Sequence, residues 1–599
     1  MNRRQFLSSA ALLGLGSAAA TLPLFGINGK HRRPPNVLFI LTDDQGVGDV
    51  GWMGNPYLRT PSMDRLAREG TSFTQFNVSP TCSPTRAALL TGRHEFRCGI
   101  THTVLARNFL RREIPTMADS FRAAGYRTGL FGKWHLGDSA PFLPEQRGFD
   151  HALYHGAGAI GQTPDYWDNR YFDPHLRSGH EWERHHGYCA DIFFDRAWEW
   201  MTADNRPFFA WLATNTPHTP LQVPERYSRR FIDMGLSETA AKFYGMIENL
   251  DENLGIMLAK LERSSLAKDT LVVFMTDNGS AMGGEPQLGL YNAGLRGTKA
   301  SAYEGGVRAL CSFWLPGQIP PARRVDALAG STDIFPTLAE LCGLSTPEGI
   351  EGSSLLPLIN GEQARRPGVH RITHRARWPA GADIDDFQYR GCSIRNQRHS
   401  LVDGRELYDL EKDPGQRHDV AAQYPEVARE LRARYDAWWE DVRPGLDATQ
   451  AIHMPARGEP KLRLDCHDWL PSFVFPDDRT PHLHQQWMVS QLVAGKGYMD
   501  RKNAHGCWLV KTNKPQRYRI HLSLLPREAG SAERARAEGV ADLHINGERL
   551  QTPVAAGESE AVFDVQLDRG EHRLEGVWHG QLPEEKPTGS FYAYVHPQS

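Results

Sequence analysis

Asn36-Val37-Leu38-Phe39-Ile40-Leu41-Thr42-Asp43-Asp44 is an unbroken apolar run that ends on two acids. A strand with one wet face alternates apolar and polar residues, whereas a strand covered on both faces need not. The run therefore predicts a strand inside a sheet with helices on both sides. A second run ends the same way: Thr270-Leu271-Val272-Val273-Phe274-Met275-Thr276 enters Asp277-Asn278-Gly279. Ligands of open α/β sheets gather at the carboxyl ends of strands. If both strands are parallel members of one sheet, three carboxylates and an amide oxygen converge on one edge. Such a group repels itself unless a cation or protons neutralise it. All-oxygen donors favour a hard cation, calcium or magnesium. Alone, each tip also suits a turn or helix cap, where Asp and Asn are common.

Outward from these strands, apolar runs alternate with helical segments between about Pro35 and Leu344. Thr116 to Ala124 reads as a helix stopped by Gly125, and Thr128 to Phe131 as a strand. Ala190 to Thr202 is helical, Phe208 to Leu212 a strand, and Glu238 to Leu261 a long helix. The alternation predicts a mostly parallel sheet flanked by helices. Ser393–Arg395 and His399–Val402 read as a hairpin, followed by Glu406–Leu410 and a closing helix from Pro425 to Trp439. After about Arg443 short strands such as Tyr518–Leu522 and Val562–Leu567 take over, with Asn546-Gly547 and Arg569-Gly570 placed as hairpin turns. The expected organisation is a targeting segment and linker over 1–33, an α/β domain over 34–370, a smaller α+β subdomain over 371–450 and a β-sandwich-like module over 455–599.

A chain of 599 residues is too long for one small core. Its formal net charge of −3 offers no global field for nucleic acid or an anionic membrane, so any anion chemistry must come from a local cluster of cations. Arg3-Arg4 precedes an apolar stretch that is too short to span a bilayer and ends in Ser17-Ala18-Ala19-Ala20. It reads as a cleaved export signal of the twin-arginine type, giving a periplasmic or secreted protein without a stable membrane span. Eight cysteines are scattered without metal-knuckle spacing, and most are expected as small buried apolar residues.

Cys82-Ser83-Pro84-Thr85-Arg86 leads into Ala87-Ala88-Leu89-Leu90-Thr91-Gly92. Pro84 suits the first turn of a helix, which puts Cys82 just before a helix N-terminus, where free N–H groups favour anions. Arg86 lies one turn on and can reach back. The pentapeptide with its downstream Thr-Gly resembles the signature of the sulfatase family. Three further blocks resemble that family: Gly132-Lys133-Trp134-His135-Leu136-Gly137, Asn215-Thr216-Pro217-His218, and Gly297-Thr298-Lys299 with Tyr303-Glu304-Gly305-Gly306-Val307-Arg308. The resemblance spans about 35–445 and includes Glu406 to Pro414.

The resemblance implies an alkaline-phosphatase-like α/β fold and hydrolysis of sulfate esters. It implies that a maturation enzyme oxidises Cys82 to formylglycine, whose hydrate attacks sulfur with one hydroxyl and later expels sulfate with the other. Asp43, Asp44, Asp277, Asn278 and residue 82 would hold one divalent metal, calcium in preference to magnesium. Arg86 and His135 would serve the hydrate, Lys133 and Lys299 the sulfate group, and His218 the leaving oxygen. Glu304 and Arg308 are expected to brace the Lys299 loop.

The insertion from His155 to Phe172 resembles sulfatases that act on sulfated galactose or N-acetylgalactosamine. His155, Trp167 and Asp168 are its candidate sugar contacts, and Arg390 is a further one. Asp465-Cys466-His467-Asp468-Trp469 looks like a metal-binding stretch but reads first as a turn. Two rivals remain at this level. One is a phosphate mono- or diester hydrolase of the same fold, which would ordinarily carry Ser or Thr at position 82 and His-rich zinc ligands. The other is a non-catalytic sulfated-glycan binding protein.

Overall fold

Val37, Phe39 and Leu41 point into one apolar cluster, while Leu38 and Ile40 point into another. That is why the first run does not alternate: both faces of its strand are core. The computed structural model describes residues 34–283, 290–379, 381–471, 483–494, 504–580 and 587–598. The arginine pair and apolar stretch of residues 3–20 lie outside them. Among the described residues no helix is long and apolar enough to cross a membrane.

Asn36–Thr42 sits near the middle of a sheet of ten strands. It pairs in parallel with Phe208–Ala213 on one side and Thr270–Thr276 on the other. Arg127–Lys133 and then His151–His155 continue the parallel block. Phe39 stacks on its register partner Trp211, ring centroids 4.6 Å apart. Helices Cys82–Thr91, Met117–Ala123 and Ile334–Cys342 cover one face. Helices Pro61–Glu69, Cys189–Thr202 and Glu238–Glu262 cover the other. Met117–Ala123 starts on a capping box in which Thr116 and Asp119 satisfy each other's backbone N–H.

The sheet is parallel through its centre, as expected, with antiparallel strands towards both edges. Cys311–Trp314 runs antiparallel to Thr270–Thr276, and His175–Ser178 with Glu181–Arg184 closes the other edge antiparallel. The two-residue connection Gly179-His180 dictates the latter, since a parallel return needs a crossover far longer than two residues.

A four-stranded antiparallel sheet follows, Arg371–His374, Cys392–Arg395, His399–Val402 and Glu406–Asp409, backed by helix Pro425–Val442. The C-terminal region forms two further β-sheets around a shared apolar core. Asn546-Gly547 is a two-residue hairpin turn with both residues left-handed, φ 52° and 92°. Arg569-Gly570 is not a hairpin turn. Ala561–Leu567 pairs with Gln516–Ser523 in one sheet, and Gly570–His579 pairs with Gly506–Thr512 in the other. The chain there steps between layers. This module docks on the α/β region through Phe109 and Phe142, stacked at 4.5 Å within the module's own core.

Candidate active site

Thr42 and Thr276 are register partners, so the two acidic strand tips leave the sheet side by side. Asp44 N donates to Asp277 Oδ1 at 3.1 Å, and Asn278 Nδ2 donates to Asp44 Oδ1 at 3.0 Å. These bonds hold Asp44 in the left-handed region, φ 71°, a conformation that costs energy for a residue with a Cβ. Asp43, Asp277 and Asn278 are wholly buried. Asp43 Oδ1 and Asn278 Oδ1 nevertheless have no hydrogen-bond partner. Buried acceptors left this way are expensive, and a cation is one of the few groups that satisfies several at once. Ligand atoms of Asp43, Asp44 and Cys82 all lie within 4.8 Å of one another. The residues present therefore fit a hard cation bound through oxygen.

Cys82 is the first residue of its helix rather than the one before it, and Thr81 ahead of it supplies no side-chain cap. In that first turn Pro84 has no N–H and Thr85 N donates to Thr81 O at 3.3 Å, which leaves the N–H groups of Cys82 and Ser83 without a side-chain cap. A Cβ on Gly279 would lie 1.9 Å from Gly305 O, so only glycine lets the strand tip approach the short helix Glu304–Val307 this closely.

Three cations meet the three carboxylates. Lys133 Nζ lies 2.7 Å from Asp43 Oδ2, Arg86 Nη2 lies 2.9 Å from Asp277 Oδ2, and Lys299 Nζ lies 2.7 Å from Asp44 Oδ1. Arg86 also donates to Lys133 O at 3.1 Å, tying helix to strand. Burial by itself would raise the pKa of Asp44, but Lys299, His218 and Lys133 outweigh it and hold the carboxyl well below the usual range. Asp277 is pushed up to about 6 by burial and by the charge of Asp43, against the pull of Arg86. Lys299 is raised because Asp44 and Cys82 outweigh its burial.

His218 stands at the open side, where it and Lys299 keep 13% and 19% of their side chains exposed while Lys133 and Arg86 keep almost none. Its Nδ1 lies 2.6 Å from the Thr219 carbonyl, so the proton sits there and Nε2 faces Asp44 Oδ2 at 3.6 Å. Burial and then Lys299 bring its pKa down to about 3. Tyr171, from the insertion, donates to His218 O at 3.0 Å and so positions that loop.

His135 is buried with Nε2 on the Thr103 carbonyl at 2.8 Å and Nδ1 unpartnered. Burial, then Lys133 and His467, keep its pKa well below normal. His155 is the register partner of Lys133, wholly buried with both ring nitrogens unpartnered. It lies beneath the cluster and is closed to solvent. Glu304 takes Arg308 Nη2 at 2.6 Å and Arg395 Nη1 at 2.9 Å, an ion-pair network that ties the short helix Glu304–Val307 to the small antiparallel sheet.

Three sequence candidates are placed elsewhere. Trp167 packs on the C-terminal module beside Tyr592. Asp168 is exposed, pairs with Arg170 at 3.0 Å, and donates its backbone N–H to Gln486. Arg390 is exposed and stacks over Phe387 at 4.9 Å. The arginine that does approach is Arg377, which the sequence reading missed. It donates to Thr103 Oγ1 at 3.2 Å, and the charges of Cys82 and Asp44 reach it, although burial still lowers its pKa. Its only local signal is the Arg375-Ala376-Arg377 repeat after a strand.

The sulfatase family pattern matches residues 35–344, and the pattern of the N-sulphoglucosamine sulphohydrolase C-terminal region matches 298–440. Human N-acetylgalactosamine-6-sulfatase is 30% identical over 453 residues, covering 66% of this chain and 84% of that protein. Human arylsulfatase A is 31% identical, covering 73% and 93%. Among solved structures, Ps i-CgsB superposes with a TM-score of 0.61 at 26% identity, covering 68% and 93%. With Cys82, the acidic tips and the three cations assembled at one sheet edge, and with these matches across the same residues, the chain belongs to the sulfatase family of sulfuric ester hydrolases.

Proposed function

We propose that this sulfatase hydrolyses sulfate esters on galactose- or N-acetylgalactosamine-type carbohydrate, using formylglycine made from Cys82 and one divalent cation, calcium in preference to magnesium. The observation that carries the reading is the balanced cluster of Asp43, Asp44 and Asp277 against Arg86, Lys133 and Lys299 around residue 82. Asp43, Asp44, Asp277 and Asn278 would hold the cation with an oxygen of residue 82, for which the Cys82 sulfur stands in. When bound, the cation withdraws charge from the sulfate oxygens and favours ionisation of the attacking hydroxyl.

The charge count favours a monoanionic ester over a dianionic one. A divalent cation adds two positive charges to a balanced set. A sulfate monoester brings one negative charge and an ionised hydroxyl a second, which restores balance. A phosphate monoester dianion would bring one too many.

Arg86 orients hydrated residue 82 from one helical turn away. Lys133 and Lys299 grip the transferring group; a cation about 4 Å from an anion contributes roughly 4 kcal/mol at an effective dielectric of about 20, before desolvation. Burial and Lys299 favour the neutral form of His218. A bound ester anion near Nε2 favours its protonated form, and that proton passes to the ester oxygen as the S–O bond breaks. The carbohydrate class rests on the relatives: one is named N-acetylgalactosamine-6-sulfatase, and Ps i-CgsB has been solved with neocarrahexaose. Oxidation of Cys82 by a maturation enzyme in the cytoplasm, followed by export of the folded protein through the twin-arginine signal, completes the reading.

The test is sulfate release from a panel of 4- and 6-sulfated galactose and N-acetylgalactosamine, alongside matched phosphate esters. Release from at least one sulfated sugar, with slower or no phosphate release, is expected. Preferential phosphate release would overturn the reading.

A further inference from the structure

Asp138, His467 and Asp468 form a second buried cluster, separate from the cation-binding tips. Asp138 follows the strand that delivers Lys133 and His135, while His467 and Asp468 come from the short turn Cys466–Asp468 of the C-terminal module. His467 Nδ1 lies 3.2 Å from Asp468 Oδ1 and 3.9 Å from Asp138 Oδ2, with side-chain exposures of 0%, 1% and 5%. One ligand atom from each lies within 4.8 Å of the others.

The cluster is short of positive charge. Both oxygens of Asp138 lack any hydrogen-bond partner, as do Asp468 Oδ2 and His467 Nε2. Among the described residues no lysine or arginine forms an ion pair with Asp138 or Asp468; His467 is the single basic group at either. Asp465 and Asp165 add further negative charge to Asp138. An uncompensated buried carboxylate costs several kcal/mol, so this arrangement calls for a cation or for protons.

Local geometry holds the three groups in place. Asp465 accepts from His467 N at 3.0 Å and fixes the turn, so the turn reading of this stretch is also correct. Leu105 N donates to His467 O at 2.8 Å, clamping the turn to the α/β region. A Cβ on Gly156 would lie 1.8 Å from Asp138 Oδ1, so glycine there leaves the carboxylate its space.

We propose that Asp138, His467 and Asp468 bind a second divalent ion, of the zinc class, which clasps the C-terminal module to the loop behind His135. One imidazole nitrogen with two carboxylates suits zinc, whereas calcium takes six or more oxygens. Ligands about 2.1 Å from a tetrahedral zinc lie roughly 3.4 Å from one another, between the two separations seen here. The ion sits behind the pocket: the His467 ring lies 6.5 Å from that of His135. It is a positioning element, and the proposal stands whatever ester the enzyme cleaves.

Zinc itself is the probe, added to the full-length protein after saturation with calcium. In wild-type crystals, anomalous scattering at the zinc edge should show a peak between Asp138, His467 and Asp468. In solution, His467→Gln and Asp468→Asn should each weaken that zinc binding at least tenfold while leaving calcium content unchanged. Zinc should raise the melting temperature of the wild type and of neither variant. Absence of the anomalous peak at saturating zinc would overturn the proposal, because the carboxylates would then be neutralised by protons. Equal zinc affinity in wild type and in folded variants would do the same.

Discussion

Lys133 Nζ lies 2.7 Å from Asp43 Oδ2, and neither side chain is exposed. The pair spans two neighbouring proposed functions, Asp43 as a cation ligand and Lys133 as a grip on the ester. Removing one partner of a buried pair leaves the other uncompensated, at a cost of about 3–5 kcal/mol. Lys133→Ala is therefore expected to lower the melting temperature most in chelator and less in calcium, because the cation replaces the missing charge. Turnover should fall at least a hundredfold, or about 3 kcal/mol of transition-state stabilisation. Melting curves with and without calcium, and steady-state kinetics, check both parts.

His218 is assigned to the leaving oxygen, and leaving groups differ in how much they need a proton. A sugar hydroxyl is a poor leaving group; an acidic phenol departs without help. His218→Gln should slow hydrolysis of a sulfated sugar by about 10²–10⁴-fold and that of a nitrophenyl sulfate far less. Equal losses on both substrates would move the proton donor elsewhere.

Removing the cation should stop the chemistry and spare the fold. Asp43, Asp44 and Asp277 are already matched by Lys133, Lys299 and Arg86. Chelation is thus expected to abolish sulfate release, reversibly on adding calcium, with little change in circular dichroism. Unfolding on chelation would contradict the charge balance.

Acid should weaken the fold before ordinary carboxylates titrate. His374 is buried, with Nδ1 accepting from Ala376 N at 2.7 Å and Nε2 on the Phe387 carbonyl at 3.0 Å. The first bond needs an unprotonated Nδ1, whereas the second survives protonation; burial outweighs the second and brings the pKa down to about 4. Because the folded value lies below the ordinary 6.5, its contribution is fully present above pH 6.5. It is lost as pH falls towards about 4. The melting temperature should start to drop below about pH 6.5, and His374→Gln should flatten that slope; differential scanning calorimetry from about pH 7.5 down to about pH 5 reads it.

The strand tips and the Cys82 helix were legible because each lies within a short continuous stretch whose apolar pattern fixes both the element and its end. His218 and Lys299 were legible as members of blocks. Trp167, Asp168 and Arg390 were not, since their surroundings depend on where the C-terminal module and the small antiparallel sheet dock, which no local pattern encodes. Arg377 was hidden for the same reason. Arg569-Gly570 carries a turn signal, and such a signal marks where a chain reverses without saying which sheet receives it. The mixed sheet was foreshadowed only by the two-residue link at Gly179-His180.

Residue 82 itself decides the chemistry. Mass spectrometry of its peptide, in protein made with and without a formylglycine-forming maturation enzyme, gives the aldehyde fraction. The aldehyde form is lighter than cysteine, because one sulfur and two hydrogens give way to a single oxygen. Sulfate release from a sulfated sugar should rise in proportion to that fraction and vanish in a folded Cys82→Ala variant. Full turnover from protein whose Cys82 is unoxidised would contradict the mechanism.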